Sequence, residues 1–488
     1  METRTPEEPS RSGPPARWAV DVGIVVLATL AWFHATDSAP GGYQEDFSSL
    51  ALNAFCLTIS GADEYGERLP IVAFRSFGDY KGTLNLYPLA LVFQVFGPGL
   101  QTARVFSIAL SFAATAMNLV YLRFSGALPR IRAPFVWTSV FALLLLSPWN
   151  LVTHRVLLEV TITYVTVSLV VVSAGLLLKR TGSIGYGLLH GAAVGLLAYC
   201  YSPAKVVYVI HFPLLLAVLA LHPPLGLSKV FRMRGLLVAV AVAGLMGLPQ
   251  LWDLLHSQHS LARFHQVGGH FGGLDNLRSF FDNFSVGFLF LHGDSNLHHH
   301  SGYRGMLNLF FLPLLAGGIV ALVLRCLGKD KSAFWTYVLL LLPLCFVPAT
   351  LAQRSEPHAL RTNIALVPIT FVSLYGLQSL ETLLVARLGR KRALALFVGW
   401  TLFGFFEATR SLDVFFHQYA QRNLWSYTRP KPRWNTADLK PSYDDHTPET
   451  VHERFYRAVD QRDYEYCRGY EGALRDSGPG RRPRRESE

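Results

Sequence analysis

The sequence predicts an all-α protein that crosses a membrane many times. Hydrophobic residues make up 51% of the 488 residues and charged residues only 16%, whereas soluble domains carry about 25% charged residues. The apolar residues are gathered into long runs, and roughly 20 residues are enough for one helix to cross the hydrocarbon core. We therefore predict a bundle of about eleven transmembrane helices with a folded first extracytoplasmic loop.

The predicted spans follow one another along most of the chain. The first contains Asp21 and comes after a long polar leader, so we expect a retained helix rather than a cleaved signal peptide. The spans are expected at 18–37, 101–122, 134–148, 158–178, 186–200, 204–221, 235–250, 305–326, 334–350, 362–384 and 393–409.

Basic residues in alternate short loops predict the orientation of the bundle, because lysine and arginine favour cytoplasmic loops. Residues 1–17 would form a cytoplasmic tail and residues 18–409 the transmembrane domain, in the plasma (inner) membrane. The extracytoplasmic side would receive the first outer loop 38–100, the large outer loop 251–304, and a tail over 410–488 whose end is disordered. The same basic loops account for most of the net charge of +11, so no nucleic-acid partner is needed.

Neither the cysteines nor the histidines predict a metal site. Cys56 and Cys467 fall on the outer side, where a disulfide between them could form, and the chain has no CxxC motif or Cys/His zinc spacing. The run His298 to His300 cannot turn three consecutive side chains toward one ion in regular structure. We expect no required cofactor; a divalent metal is compatible with the sequence but nothing supports one.

The first outer loop holds the strongest candidates for chemistry. Asp46 lies just beyond the first span, where low-dielectric surroundings can make a carboxylate a general base, although a solvated interfacial acid is the simpler interpretation. The apolar stretch 84–97 predicts an interfacial helix, which would hold Lys81 at headgroup depth. A lysine there suits a lipid phosphate or merely snorkels. The remaining polar candidates of this loop are Asp63, Glu64, Asp79 and Tyr80.

Arg155 and Glu159 are placed at the start of the fourth span. Their spacing of four predicts that they share one helix face. They could form a structural ion pair that fixes the helix end, or they could line a cavity, with Arg155 binding phosphate and Glu159 orienting the substrate.

Two further outer segments carry polar candidates. Asp294 and His298 lie in a loop that we expect to fold over the carrier or the acceptor, where they could contact sugar hydroxyls. His358 and Arg361 come just before a span. An arginine in this position can bind a phosphate at the membrane surface or can snorkel.

The order of these motifs resembles one family of membrane enzymes. The motifs are NA at 53–54, DEYGERLP, SFGDYK, SPWNLVTHRVLLEV, FLFLHGDSNLHHHSGYRGML and EPHALRTNIALVP. They are similar, in the same order, to motifs of the bacterial relatives of protein O-mannosyltransferases and of the lipid A aminoarabinose transferase, which have the GT-C fold. The tail beyond about residue 430 lies outside the resemblance.

The resemblance implies specific roles in the first outer loop. The catalytic carboxylate of the family lies seven residues before the NA dipeptide, which is Asp46 here. Its usual glutamate neighbour is replaced by Phe47, and Glu45 is kept as a reserve. The family lysine is Lys81, followed here by Gly-Thr where relatives often have Pro-Pro.

The implied reaction is the inverting transfer of a hexosyl or pentosyl group from a polyprenyl phosphate. Asp46 would take the proton of the acceptor hydroxyl, and cations would stabilise the departing phosphate. Lys81 is the first candidate cation, with Arg361 and Arg155 as weaker ones. The implied partners are the polyprenyl-phosphate-linked sugar, membrane lipids, and an acceptor glycan, lipid (or lipid phosphate) or protein.

Two other functions remain open at this point. A lipid or glycan transporter or flippase would also span the membrane many times, but such proteins usually carry ionisable residues inside the spans. A catalytically inactive scaffold of the same shape is the other alternative, because the family glutamate is replaced at Phe47.

Overall fold

A computed structural model describes most of the chain. The described residues are 15–40, 45–76, 79–128, 135–222, 233–257, 273–328, 331–351 and 356–420. Cys467 and the rest of the C-terminal region beyond residue 420 lie outside them. Cys56, which we expected could pair with Cys467, is disulfide-bonded.

The described part of the chain is mainly helical, as predicted. Its helices are α1 (Pro15–Phe33), α2 (Glu45–Ser60), α3 (Leu86–Phe96), α4 (Leu100–Phe124), α5 (Val136–Leu145), α6 (Pro148–Thr153), α7 (Glu159–Lys179), α8 (Ile184–Leu196), α9 (Ser202–Ala220), α10 (Arg234–His256), α11 (Leu274–Asn283), α12 (Phe311–Leu327), α13 (Ala333–Leu344), α14 (Val347–Thr350), α15 (Ala359–Thr362), α16 (Leu366–Leu388) and α17 (Arg390–Asp413). An antiparallel hairpin joins β1 (Ala73–Ser76) and β2 (Asp79–Gly82).

Six helical segments among the described residues are long and apolar enough to cross a membrane. They are Leu100–Phe124, Glu159–Lys179, Ser202–Ala220, Arg234–His256, Ala333–Thr350 and Ala359–Leu388. Shorter apolar helices cover most of the remaining predicted spans, at Ala19–Phe33, Val136–Leu145, Ile184–Tyr199 and Phe311–Leu327. The predicted count of about eleven spans is therefore not confirmed by length, although the multi-helix membrane fold is.

Several elements differ from the sequence predictions. The first outer loop contains a complete helix, α2, and the hairpin, neither of which hydrophobic periodicity revealed. The last predicted span ends at residue 409, but α17 continues to Asp413 and runs into a π-helical turn, Val414–Tyr419. The predicted span over 305–326 begins late, because α12 starts only at Phe311.

Glycines let two helix pairs approach closely. A Cβ atom on Gly187 of α8 would lie 2.2 Å from the carbonyl oxygen of Gly235 at the start of α10. A Cβ atom on Gly376 of α16 would lie 1.9 Å from the carbonyl oxygen of Leu314 on α12. Because lipid chains are as apolar as leucine, membrane helices associate through such close backbone packing. These contacts fix α8 against α10 and α16 against α12.

A chain of hydrogen bonds lies inside the bundle. The imidazoles of His190 and His211 are 2.9 Å apart, Ser173 bonds His190 at 2.9 Å, and the hydroxyl of Tyr337 is 3.4 Å from His211. All four side chains are buried. The sequence predicts that polar residues lie mainly at one surface of the membrane. It did not predict this buried cluster between α7, α8, α9 and α13.

The predicted outer loops meet at one end of the bundle. The guanidinium of Arg104, at the start of α4, donates to the carbonyl of Thr36 at 3.0 Å, just after α1 ends. Gln250, near the end of α10, accepts from Lys205 at the start of α9 at 3.4 Å and donates to the carbonyl of Val72 at 3.2 Å. The first outer loop is therefore fastened to the helix ends around it.

Candidate active site

Asp46 and Lys81 are in direct contact. The ammonium of Lys81 donates to Oδ1 of Asp46, and the two side chains form an ion pair. The carboxylate side chain is 37% exposed, whereas the lysine is only 6% exposed. The Asp46 carboxylate can therefore still be reached from outside, whereas the cation that it contacts is buried. A group that can receive a proton and a cation that can stabilise a negative charge are thus adjacent.

The hairpin places Lys81 in this position. Lys81 on β2 pairs with Phe74 on β1, and the side chain of Phe74 is fully buried in the apolar cluster formed by α2 and α3. The hydroxyls of Ser76 on β1 and Ser49 on α2 are 2.7 Å apart and buried. The hairpin is thus held against α2, the helix whose first turn carries Asp46.

Gly82 follows Lys81 and fixes the end of the hairpin against the bundle. Its backbone N–H donates to Oε1 of Glu159 at 2.8 Å. A Cβ atom at this position would lie 2.4 Å from the carbonyl oxygen of Tyr199 and 2.6 Å from that of Cys200. Proline has no N–H to donate, so a proline at position 82 could not make this hydrogen bond to Glu159.

Replacing Gly82 by alanine is expected to disturb the site indirectly, by shifting the hairpin that carries Lys81. The added methyl group must displace the backbone of Tyr199 and Cys200 or of the hairpin itself, and Lys81 moves with the hairpin. We expect at least a tenfold loss of transfer activity, since misplacement by about 1 Å can cost two orders of magnitude. Activity and thermal unfolding of Gly82→Ala should be compared with Gly185→Ala on α8, where a Cβ atom has open space. Equal activity of both variants would contradict this assignment.

Asp63 and Glu64 stabilise the loop before the hairpin. Oδ1 of Asp63 accepts from the backbone N–H groups of Tyr65 and Glu67, both at 2.9 Å. Burial raises the pKa of Asp63, although these backbone donors act in the opposite direction. Glu64 accepts from the amide of Asn53 at 2.9 Å, and its own N–H donates to Asn53 Oδ1 at 3.0 Å. Asp63 thus stabilises the turn within the loop, and Glu64 holds the loop on α2 through Asn53, the asparagine of the NA motif.

The residue that replaces the family glutamate points into the core. Phe47 is fully buried in the cluster that includes Leu50, Leu86 and Leu157. A carboxylate would be costly in these surroundings, and a phenyl ring fits them. The side chain of Glu45, the reserve base, lies outside the described atoms, as does that of Asp79. Tyr80 pairs with Arg75 across the hairpin and is partly buried.

Arg155 does not share a helix face with Glu159, because α7 begins only at Glu159; the expectation of a shared face was wrong. The guanidinium of Arg155 is fully buried and donates to the carbonyl oxygens of Trp32, His34 and Ala39. Burial lowers the pKa of Arg155 to about 9, and Arg104 contributes to the same shift. These hydrogen bonds fix the end of α1 and the segment that follows it.

Replacing Arg155 by leucine is expected to destabilise the fold rather than weaken donor binding selectively. The buried carbonyl groups of Trp32, His34 and Ala39 would lose charged donors, which costs about 3 kcal/mol or more. We expect a lower thermal midpoint of the purified protein and an unchanged KM for the donor in the fraction that folds. A raised KM with an unchanged thermal midpoint would instead assign Arg155 to the carrier phosphate.

Asp294 and His358 come together in a second group beside α15. Oδ2 of Asp294 accepts from the N–H of Ala359 at 2.7 Å and lies 3.4 Å from Nδ1 of His299. Burial opposes ionisation of Asp294, but the interactions with His299 and with Ala359 outweigh it and lower its pKa. Burial also lowers the pKa of His358, with His299 and Arg361 adding to the shift. His298 is exposed; its N–H donates to Oδ1 of Asn296 at 3.0 Å, and its backbone carbonyl accepts from the hydroxyl of Tyr419 at 3.1 Å.

Contacts of α15 connect the two groups. Leu360 packs against the apolar cluster of α2 and α3 that contains Phe47. Nε1 of Trp149 donates to the carbonyl of Ala359 at 3.0 Å. Arg361 is partly buried one residue beyond Leu360. Helix α15, which carries Arg361, therefore packs against the first outer loop through Leu360.

Comparison with known proteins identifies the fold. No protein-family model and no curated protein matches the sequence. Among solved structures, apo ArnT from Cupriavidus metallidurans aligns with 91% of this chain and 78% of its own, with a TM-score of 0.50 and 14% identity. The same protein bound to undecaprenyl phosphate aligns with 84% of this chain and 76% of its own, with a TM-score of 0.46 and 14% identity.

The archaeal oligosaccharyltransferase AglB from Archaeoglobus fulgidus, in complex with an inhibitory peptide and a dolichol-phosphate, is similar as well. It aligns with 90% of this chain, with a TM-score of 0.51 and 13% identity, and the match spans 59% of AglB. ArnT and AglB are both GT-C glycosyltransferases. This chain has the GT-C fold. The fold class implied by the motifs is thereby confirmed.

Sequence reasoning missed several residues of the site. Ser49 and Ser76 give no signal, since isolated serines are common in any helix or strand. Gly82 was noticed only as a departure from the Pro-Pro of the resembled family, and its hydrogen bond to Glu159 was not predicted. His299 was not predicted, because the sequence does not distinguish it from the two histidines beside it.

Proposed function

We propose that this chain is an inverting glycosyltransferase that works on the extracytoplasmic side of the membrane. It would move a hexosyl or pentosyl group from a polyprenyl phosphate to an acceptor hydroxyl or lipid phosphate. The contact between Asp46 and Lys81 at one end of a GT-C bundle carries this proposal. A structural neighbour supports the donor class, since AglB was solved in complex with an inhibitory peptide and a dolichol-phosphate.

The proposed step needs one base and one group of cations. Asp46 takes the proton from the acceptor hydroxyl as its oxygen attacks the anomeric carbon. The bond between the anomeric carbon and the phosphate oxygen breaks, and its electron pair leaves with the phosphate. Lys81 and Arg361 stabilise the charge that develops there. Direct displacement inverts the anomeric centre, and the leaving phosphate needs no proton from a second acid.

The described residues also contain an observation that favours a transporter. His190 and His211 are ionisable side chains inside the bundle, and such residues often mark transport pathways. Both imidazoles are fully buried and bonded to each other, to Ser173 and to Tyr337. Hydrogen bonds of this kind join membrane helices to one another. The two histidines therefore have a structural explanation, and we favour the enzyme.

Release of the carrier distinguishes the two functions. Purified protein in detergent is incubated with polyprenyl phosphates carrying labelled hexoses or pentoses, together with candidate lipid and peptide acceptors. The proposal predicts free polyprenyl phosphate in the same amount as glycosylated acceptor. If labelled donor moves across proteoliposome membranes and no carrier is released, the protein is a transporter and the proposal is wrong.

A further inference from the structure

Asp294, His299 and His358 form a group with the geometry of a metal site. One ligand atom from each lies within 4.8 Å of the other two. Oδ2 of Asp294 and Nδ1 of His299 are already 3.4 Å apart, and the rings of His299 and His358 are 4.8 Å apart. Two zinc ligands at bond lengths of 2.0–2.1 Å in a tetrahedron are about 3.3 Å apart. The first pair matches this separation, and His358 needs to approach by at most about 1.5 Å.

Surrounding hydrogen bonds hold two of the three ligands, Asp294 and His358, in place. Oδ1 of Asp294 accepts from the N–H of Asn296 at 2.8 Å, and Oδ2 accepts from the N–H of Ala359 at 2.7 Å. The N–H of His358 donates to Oδ1 of Asn283, on α11, at 3.0 Å. Ligands whose orientation is fixed by outer contacts are typical of metal sites. The carboxylate also keeps lone pairs that these two donors do not use.

One buried nitrogen of the group has no other use in the described structure. Nδ1 of His358 is buried and has no hydrogen-bond partner among the described residues. An unpartnered buried polar atom carries a free-energy cost of about 1–3 kcal/mol, which a metal ion at this point would remove. This observation is independent of the distances.

We propose that Asp294, His299 and His358 bind a zinc ion. Two imidazoles and one carboxylate match zinc, whereas calcium and magnesium prefer sets of oxygen ligands. The ion would join the loop that carries Asp294 and His299 to the N-terminal end of α15. This position is three residues before Arg361, so zinc would order the segment that presents that arginine. The site itself does not depend on the proposed sugar transfer.

Zinc content of the full-length protein tests the proposal. The protein is purified without chelator, freed of any histidine tag, exposed to a small excess of ZnCl₂ and dialysed. We expect about one zinc per chain by elemental analysis, and loss of this zinc in both His299→Ala and His358→Ala. His298→Ala is the matched control, because His298 is exposed and adjacent in the same run of histidines; it should keep the wild-type zinc content.

Two results would overturn the proposal. One is wild-type protein that retains no zinc after dialysis, and the other is wild-type zinc content in both alanine variants. If the alanine variants do not fold, Co²⁺ in the wild-type protein decides the question, since His₂-carboxylate ligation gives visible d–d bands that disappear when Zn²⁺ is added in competition. A wild-type protein without such bands would contradict the site. None of these measurements requires transferase activity, so failure here leaves the proposed function to be judged separately.

Discussion

Asp46→Asn is expected to lower sugar transfer by about 10²–10⁴-fold, the usual contribution of a general base. Asparagine keeps the shape of the side chain and can still accept a hydrogen bond from Lys81, but it cannot take up a proton. The loss should therefore appear in kcat, with little change in the KM for the donor. The measurement is the initial rate of polyprenyl phosphate release from a labelled glycosyl carrier at saturating acceptor.

The control for this variant is Asp37→Asn. Asp37 is an exposed aspartate just after α1, at the same end of the bundle, and its only described side-chain contact is with the neighbouring Ser38. We expect wild-type rates for it. If Asp46→Asn retains more than about a tenth of the wild-type rate while folding normally, Asp46 is not the base.

Lys81→Met is expected to reduce kcat by about 10²–10³-fold, because the ammonium would no longer stabilise the leaving phosphate. The substitution also leaves the Asp46 carboxylate without this partner, which reduces its orientation toward the acceptor. Lys81→Arg should recover only part of the activity, since the larger planar guanidinium must fit where the lysine is 6% exposed. Both variants are compared with the wild-type protein by their initial rates of transfer and their KM values for the donor.

Lys391→Met serves as the matched control for Lys81. Lys391 is exposed at the start of α17, at the other end of the bundle. Loss of its charge should leave transfer unchanged. The Asp46→Asn, Lys81→Met double variant adds a sharper criterion, because groups that act as a unit give strongly non-additive losses. Fully additive losses in the double variant would argue against a joint site.

Much of the fold was predictable because membrane spans have a strong compositional signal. Runs such as those of α4, α7 and α16 follow from length and hydropathy alone. The secondary structure inside the first outer loop was not predictable from length and hydropathy. Helix α2 has few charges and no clear amphipathic face, and the strands of the hairpin are four residues long. Their existence depends on contacts with residues far along the chain, such as Glu159, which no local pattern reveals.

The candidate site was partly predictable for a different reason. Motif spacing pointed to Asp46 and Lys81, and the structure brings these two side chains together. Spacing could not show that Asp63 and Arg155 would bond to backbone groups, because such contacts depend on burial. It also could not separate His299 from its neighbours. Only the fold shows which of three adjacent imidazoles turns toward Asp294.

The most direct test of the account is the location of the carrier phosphate in a structure of the protein with bound polyprenyl phosphate. We expect a phosphate oxygen within about 3 Å of the Lys81 ammonium, with the Asp46 carboxylate facing open volume large enough for an acceptor. A phosphate bound at the opposite end of the bundle, or separated from Lys81 by intact protein, would contradict the proposed active site.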